Sequence, residues 1–135
     1  MREYLFRGKK IWNDDSSWIE GFLTYWSPSV AYIDTEKGIA CPVDPNTVGQ
    51  YSGQKDRNGK NIFDGDIVNV YATYMGLPDK VGVVEYDEDH SSYRVKSEYR
   101  TDWIGSFLSI RLEVVGNIYD NPEMLESEES ENGKD

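Results

Sequence analysis

The stretch "QYSGQKDRNGKNIFDGDIV", from Gln50 to Val68, contains three tight-turn signals followed by the start of an apolar strand. The signals are Ser52-Gly53, Asp56-Arg57-Asn58-Gly59 and Asp64-Gly65-Asp66. Because Asn and Gly both tolerate positive φ, the second signal predicts a type I′ or bulged hairpin turn. At the third, Gly65 permits a left-handed residue beside carboxylates that can accept backbone N–H bonds. The stretch therefore predicts a rigid corner of a small β fold.

The polar residues of this corner could instead form a metal site. An EF-hand loop needs oxygen ligands at alternate positions, glycine at the sixth and glutamate at the twelfth. If Asp56 is the first position, Lys60 is the fifth and Ile67 the twelfth, so the spacing does not fit. We predict turn chemistry and no metal ligand. The predicted structural motif comprises Gln50, Tyr51, Gly53, Asp56, Asn58, Gly59, Gly65 and Asp66.

Strand signals recur on both sides of the corner, in residues 3–7, 18–26, 29–35, 66–75, 80–88, 92–99 and 111–120. The breaks at 27–29 and 89–91 predict two antiparallel hairpins. In the second hairpin, Val81, Val83, Val84 and Tyr86 are expected on one face, opposite Tyr93 and Val95. Residues 40–48 contain two prolines and are expected to be extended or loop.

Helical signals are few. Residues 101–110 allow a short turn of helix capped by Asp102. Near the end, Asn121 as N-cap and Pro122 at the first position predict a helix that ends around Ser127. The remaining residues have nothing apolar to bury and read as a solvated acidic tail.

Composition agrees with a small β protein. The chain has 135 residues, enough for one ordinary domain or two very small ones, and 13% of them are aromatic. No apolar run reaches the roughly 20 residues that a membrane-spanning helix needs, and the first residues carry no signal-peptide stretch. The single Cys41 suits a cytoplasmic location.

The charge is strongly acidic. The formal net charge is −11, and the segment from Glu123 onward holds six acids and Lys134, or −5, which leaves −6 for the rest. An acidic body argues against non-specific phosphate binding, which needs clustered Lys and Arg. Nucleic acid remains an alternative partner, because a local basic patch or an acidic surface that imitates DNA is compatible with these numbers.

Catalytic groups are sparse. Cys41 and His90 could form a nucleophile and base, but each lies in a predicted loop or turn. Two acidic groups, Asp14-Asp15 and Asp87-Glu88-Asp89, also fall at predicted turns. We predict no catalytic residue, no metal and no cofactor. A barrel that exposes several aromatic residues would offer a peptide groove or a base-stacking platform, and the candidates are Tyr74, Tyr86, Tyr93 and Trp103.

The corner resembles the hallmark segment of the YopX family of phage and prophage proteins, Q-Y-[ST]-G-x-K-D-x-[NK]-G-K-x-[IL]-[FY]-x-G-D-I-V, from Gln50 to Val68. The opening "YLFRGKKIWNDDSSWIEGFL" and the closing "LEVVGNIYDNPEML" are also similar to that family. One departure is Gln54, where Leu is more usual. The resemblance implies an SH3-like β-barrel and no known activity.

The strand pattern predicts a mostly β protein, either a small barrel or a two-part arrangement of antiparallel sheets. Together with the implied SH3-like barrel it suggests three regions. Residues 1–49 would form an N-terminal β region packed on the barrel, 50–120 the SH3-like barrel, and 121–135 a short helix and acidic tail. The expected function is that of a non-enzymatic phage or prophage accessory protein in the bacterial cytoplasm, which binds a host or phage protein. A nucleic-acid-related role is the alternative, no membrane partner is expected, and the sequence indicates no particular oligomeric state.

Overall fold

The structure, a computed structural model, describes residues 4–11, 17–72, 78–98 and 100–125. The chain divides into two compact units, Met1–Gly53 and Gln54–Asp135. The mostly β prediction is confirmed, because the strands form two antiparallel sheets. The strands are β1 (Phe6–Lys9), β2 (Trp18–Trp26), β3 (Ala31–Asp34), β4 (Ala40–Val43), β5 (Gly49–Lys55), β6 (Asn61–Phe63), β7 (Asp66–Tyr71), β8 (Pro78–Asp87), β9 (Ser92–Lys96), β10 (Thr101–Trp103) and β11 (Leu112–Asn117).

The first unit contains β1 to β4 and most of β5, in the spatial order β4-β3-β2-β1-β5, after which the sheet continues to β6. Its core is formed by Ala31, Ile33 and Val43, with apolar residues of β1 and β2 packed around them. Gly8 lets β1 pass close to this core, since a Cβ there would lie 2.7 Å from a methyl carbon of Val43. The predicted hairpin of β2 and β3 is confirmed, with Ser27 donating to the Val30 carbonyl in the turn.

The proline-containing segment after β3 is more regular than its composition suggests. Residues Ala40–Val43 form β4, which pairs with β3, and Pro45–Thr47 form a 3₁₀ turn. Asp44 caps that turn by accepting the N–H of Asn46. Pro42 is tolerated because β4 is the edge strand of its sheet.

The second unit is built on an open five-stranded sheet in the order β10-β9-β8-β7-β11. The predicted closed, SH3-like barrel is not confirmed, because the sheets do not close. In the described residues no pairing joins the edge strands β10 and β11. The core is instead covered by Ile104 and Phe107, which pack on the sheet residues. The buried cluster comprises Ile62, Val68, Val70, Val84, Val95, Ile104, Phe107 and Leu112.

The predicted short helical turn is present within residues 101–110, as 3₁₀ helix, but Asp102 does not cap it. Residues Thr101–Trp103 form β10, and two short 3₁₀ turns follow, Ile104–Ser106 and Ser109–Arg111. Neither turn has a side-chain cap. The Asp102 carboxylate instead lies near cations, 2.9 Å from Nε of Arg100 and 3.8 Å from the Lys80 ammonium. Asp102 is not at the N-cap position of either turn, since Trp103 and Leu108 occupy those positions.

The hairpin of β8 and β9 is confirmed, but the expected single apolar face divides in two. Val84 pairs with Val95, and Tyr86 with Tyr93, on the core side of the sheet. Val81 and Val83 alternate with them and lie on the opposite side. Strand β8 is therefore apolar on both faces, because its consecutive valines point alternately to the two sides of the sheet.

The described chain ends in a helical segment at 123–125. Asn121 does not cap it through its side chain. Its Oδ1 accepts the backbone N–H of Asn117, and its side chain packs against Gly116, where a Cβ would lie 2.6 Å from Oδ1. The predicted helix end near Ser127 and the acidic tail lie outside the described residues. None of the described helices is long and apolar enough to cross a membrane.

Candidate functional site

The turn chemistry predicted for the corner is present at Asp56. Its carboxylate is 3% exposed and accepts three backbone N–H groups, from Asn58 at 2.8 Å, Lys60 at 2.9 Å and Val114 at 2.9 Å. The first two bonds hold the hairpin turn between β5 and β6, and the third ties that turn to β11. Asp56 is therefore a structural residue, and its oxygens are committed to the backbone.

The hairpin turn itself is a type I turn with a glycine bulge, not type I′. Gly59 has φ +80° and donates its N–H to the Asp56 carbonyl, whereas Asn58 is not among the residues with positive φ. Gly65, at φ +92°, donates to the Val84 carbonyl, and its own carbonyl accepts the N–H of Ile118. Asp66 is buried and accepts the N–H of Phe63.

The first residues of the motif are also structural. Gln50 pairs with Phe6 across β1 and β5, and Tyr51 is buried and donates its N–H to the Leu5 carbonyl. Gly53 has φ +92° and space around it. Gln54, the departure from the family pattern, donates its amide to the Phe107 carbonyl at 2.8 Å.

A polar network extends the corner along β7 and β11. The Tyr71 hydroxyl donates to Glu113 at 2.6 Å, and the Arg57 guanidinium lies 3.7 Å above the Tyr71 ring. The hydrogen bond to Glu113, desolvation and the Glu113 charge raise the pKa of Tyr71, against opposing effects of Asn69 and Arg57. Arg57 also donates to the Ile110 carbonyl, which leaves this cluster fully engaged in holding the fold.

The three candidate binding aromatics that the structure describes lie on two sides of one sheet. Tyr86 and Tyr93 make an edge-to-face pair, with ring centroids 4.9 Å apart, on the core side of β8 and β9. Trp103 pairs with Arg94 in register, which places it on the opposite side of the sheet, where its ring lies 5.1 Å from that of His90. Tyr74 lies outside the described residues. Tyr86, Tyr93 and Trp103 therefore do not share one surface, although Tyr86 and Trp103 are each exposed.

The turn between β8 and β9 holds a small ionic cluster. Asp87 Oδ2 lies 2.8 Å from His90 Nδ1 and 3.1 Å from an Arg94 nitrogen. Desolvation, the largest influence, raises the pKa of Asp87, but the hydrogen bond and charge of His90, the Asp89 N–H and the Arg94 charge together outweigh it. The pKa of Asp87 is therefore lowered.

The other chemical candidates are dispersed. Cys41 belongs to β4 in the first unit and His90 to the second unit, and Asp14-Asp15 lie outside the described residues. Within the parts of the chain that the structure describes, no three His, Cys, Asp or Glu side chains come together as metal ligands would.

A cleft of about 370 Å³ opens on the second unit, on the side of β8 away from the core. Its apolar lining is Val81, Val83, Ile118 and Leu125. Its charged lining has both signs: Lys96 and Glu98 lie there together with Glu85, which is already bound to Arg94 at 2.7 Å. This balance does not select an acidic or a basic ligand.

Among the described residues, the most exposed aromatic side chains lie on the first unit, outside the candidates drawn from the sequence. A bulge in β2 between Leu23 and Tyr25 shifts the register against β3, so that Phe22 pairs with Asp34 and Tyr25 with Tyr32. Without the bulge, strict alternation would place Trp26 on the same side of β2 as Phe22. Trp26 instead pairs with the buried Ala31. We call the surface formed by Trp18, Phe22, Tyr25 and Tyr32 the aromatic face.

The aromatic face is solvent-accessible and carries charges of both signs, because Arg7 and Lys9 of β1 pair with Glu20 and Trp18 on the same side of the sheet. Phe22 is 59% exposed and Tyr25 is 52% exposed. Glu20 lies two residues before Phe22 on the same side of β2, and Asp34 lies directly across from Phe22. One guanidinium is already present, since Arg7 lies 4.7 Å above the Trp18 ring. The high density of aromatic residues in 18–26 could be read from the sequence, but the bulge that places Phe22 and Tyr25 on the same side of β2 could not.

These features define a mostly β protein of two compact units, with a hydrogen-bonded corner and an exposed aromatic face. A family model described as YopX protein matches residues 5–126. The chain therefore belongs to the YopX family, as the corner motif indicated. A search of curated proteins finds no match.

Proposed function

We propose that this protein is a non-enzymatic protein-binding module whose contact surface is the aromatic face of β2 and β3. The observation that carries the proposal is the exposure of Phe22 and Tyr25, each more than half accessible on one side of a regular sheet. Exposed, contiguous aromatic surface is typical of protein interfaces, where Tyr, Trp and Phe are enriched and often dominate the binding energy.

We propose a binding role and not a catalytic one because the buried and clustered polar side chains already bond to other groups of the fold. Asp56 and Asp66 accept backbone N–H groups, and the Asp87 carboxylate is shared by His90 and Arg94. Groups that are engaged in this way stabilise turns and hairpins. A catalytic set would instead direct its groups towards a substrate-sized space.

We further propose that the protein serves a phage or prophage in the bacterial cytoplasm, and that its partner is a host or phage protein. The origin follows from the family that the corner motif indicates. A nucleic-acid role is the second candidate. Single-strand binding is less favoured because the chain is acidic overall, with a net charge of −11, whereas binding to the phosphate backbone relies on clustered Lys and Arg.

Affinity capture from a bacterial lysate tests the protein-binding role. The full chain is compared with a Phe22→Ser/Tyr25→Ser variant, with nuclease treatment in every sample. A Leu108→Ser variant is the matched control, since Leu108 is an exposed apolar residue of the second unit. We expect a discrete protein retained by the full chain and by the control and lost from the double variant. Retention by all three chains, or loss after nuclease treatment, would contradict the proposal.

A further inference from the structure

We propose that Asn58 is a site of spontaneous covalent modification, at which the side chain is deamidated and the turn between β5 and β6 is altered. The nucleophile is the backbone nitrogen of Gly59. This inference concerns the corner and is independent of the binding function proposed for the aromatic face.

The turn presents the reacting groups to solvent. Asn58, Gly59 and Lys60 are all exposed. The backbone N–H of Asn58 is bonded to the Asp56 carboxylate at 2.8 Å. Among the described residues, by contrast, no group forms a hydrogen bond with the Asn58 side-chain amide. This side chain can therefore rotate its Cγ towards the nitrogen of the next residue.

Gly59 permits the attack because it has no Cβ to obstruct its nitrogen. Nothing lies within 4 Å of the position that a Cβ would occupy there. The other asparagines in the described ranges are followed by Thr47, Ile62, Val70, Ile118 and Pro122. β-Branched side chains crowd the backbone, and proline has no N–H to lose. Asn58 is therefore the reactive asparagine of the described chain.

The reaction balances with water as the only other reagent. The Gly59 nitrogen forms a bond to Asn58 Cγ and loses its proton, and the side-chain nitrogen leaves as ammonia. One water molecule then opens the resulting succinimide ring. Opening at one carbonyl gives aspartate, and opening at the other gives isoaspartate, in which the main chain runs through the former side chain.

Asp56 controls how often the reaction can occur. In the closed turn the Gly59 N–H donates to the Asp56 carbonyl at 3.0 Å, so the nucleophile is engaged. Asp56 Oδ1 also accepts the N–H groups of Asn58 and Lys60. Local opening of an exposed turn requires less free energy than global unfolding and releases the Gly59 nitrogen. The rate of modification therefore depends on how tightly Asp56 holds the turn.

The isoaspartate product does not fit the turn. It lengthens the main chain between residues 58 and 59, and it places a negative charge beside the buried Asp56 carboxylate. We expect the bond from the Lys60 N–H to Asp56 Oδ1 to be lost. Val114 donates to the other carboxylate oxygen and keeps its bond. Modification would therefore loosen the hairpin turn without detaching Asp56 from β11.

Prolonged incubation of the full chain at neutral pH tests the proposal. Digestion and fragmentation mass spectrometry locate the exchange of NH₂ for OH, and they separate Asn58 from Asn61 and from Asn132, which precedes Gly133 outside the described residues. Enzymatic methylation of isoaspartate identifies the product. We expect conversion at Asn58 and faster hydrogen exchange at the Lys60 amide of the converted chain, with Asn61 unchanged.

Two variants test the control by Asp56. Asp56→Asn should convert Asn58 about tenfold faster, as the loss of about one hydrogen bond from the turn would. Asp89→Asn is the matched control, because Asp89 is an exposed acid of another turn, and its rate should stay within about twofold of the full chain.

The contrary outcomes are distinct. An unchanged Asn58, after a time in which a synthetic peptide of residues 54–63 is fully converted, would refute the modification site. Conversion of Asn61 as fast as Asn58 would refute the role of Gly59. Equal rates in the full chain and in Asp56→Asn would refute the control by Asp56.

Discussion

Removal of the Asp56 carboxylate should destabilise the second unit more than removal of any exposed acid. The Asp56→Ala substitution deletes the acceptor of three backbone N–H groups, those of Asn58, Lys60 and Val114. The carboxylate is almost completely buried, so bulk water cannot take its place as the hydrogen-bond acceptor after the substitution.

The size of the effect follows from the three donors. A hydrogen bond to a charged acceptor contributes about 1.5–3 kcal/mol, and a buried donor left unpaired costs about 1–3 kcal/mol. Asn58 and Lys60 are exposed turn residues, and water can replace part of their bonds. The Val114 N–H is partly buried and contributes most. We expect the free energy of unfolding to fall by about 3–4 kcal/mol.

Urea unfolding of the full chain measures this loss, with hydrogen exchange at the Val114 amide as a local readout. Asp89→Ala is the matched control, because Asp89 is an exposed acid whose loss should change stability by less than about 0.5 kcal/mol. Asp56→Asn keeps one acceptor oxygen and should lose about half as much stability as Asp56→Ala. A loss below about 1 kcal/mol for Asp56→Ala, or unchanged exchange at Val114, would refute the role assigned to Asp56.

Three further predictions concern the second unit. Gly59→Ala should lower thermal stability by about 1 kcal/mol, because alanine is strained at positive φ. Gly65→Ala should lower it by about 3 kcal/mol, because the added Cβ would also lie 3.1 Å from an aromatic carbon. Equal losses in thermal denaturation would contradict this difference. Asp87→Asn should lower the free energy of unfolding at pH 7 but little at low pH. The lowered pKa of Asp87 stabilises the fold above the usual value of 3.8, and this contribution is lost as the pH falls through the folded-state pKa. A loss of stability in urea unfolding that does not depend on pH would contradict this prediction. Tyr71→Phe should lower the free energy of unfolding below pH 10.0, and this contribution should disappear as the pH rises through the raised pKa of Tyr71. Absorbance titration of the full chain beside a Glu113→Gln chain measures the shift, and an unshifted titration would contradict the bond to Glu113.

Local turn chemistry was predictable from the sequence. Gly59 and Gly65 adopt positive φ, and Asp56 and Asp66 accept backbone N–H groups, because these roles depend on residues a few positions apart. The type of turn was not predictable from Asn58-Gly59 alone, since both I′ and bulged turns use that pair. The bond from Asp56 to Val114 joins residues 58 positions apart and leaves no local signal.

Sheet closure and the position of the binding surface depend on contacts between distant segments, which the alternation of apolar and polar residues does not reveal. A closed barrel requires the edge strands to meet, but the segment after β10 turns through Ile104 and Phe107 to cover the core instead. Similarly, the aromatic spacing of β2 indicated a strand, and the bulge that moves Tyr25 beside Phe22 is set by pairing with β3. Tyr86 and Trp103 are both exposed, but they occupy opposite sides of one sheet, which the sequence of each strand alone did not reveal.

Site-specific photo-crosslinking in bacterial cells tests the aromatic face most directly. A photoreactive phenylalanine analogue replaces Phe22 in one chain and the exposed Leu108 in the control chain. The proposed function predicts one discrete, light-dependent protein adduct from position 22, resistant to nuclease and absent from position 108. No adduct from position 22, the same adducts from both positions, or an adduct that nuclease removes would contradict protein binding by this face.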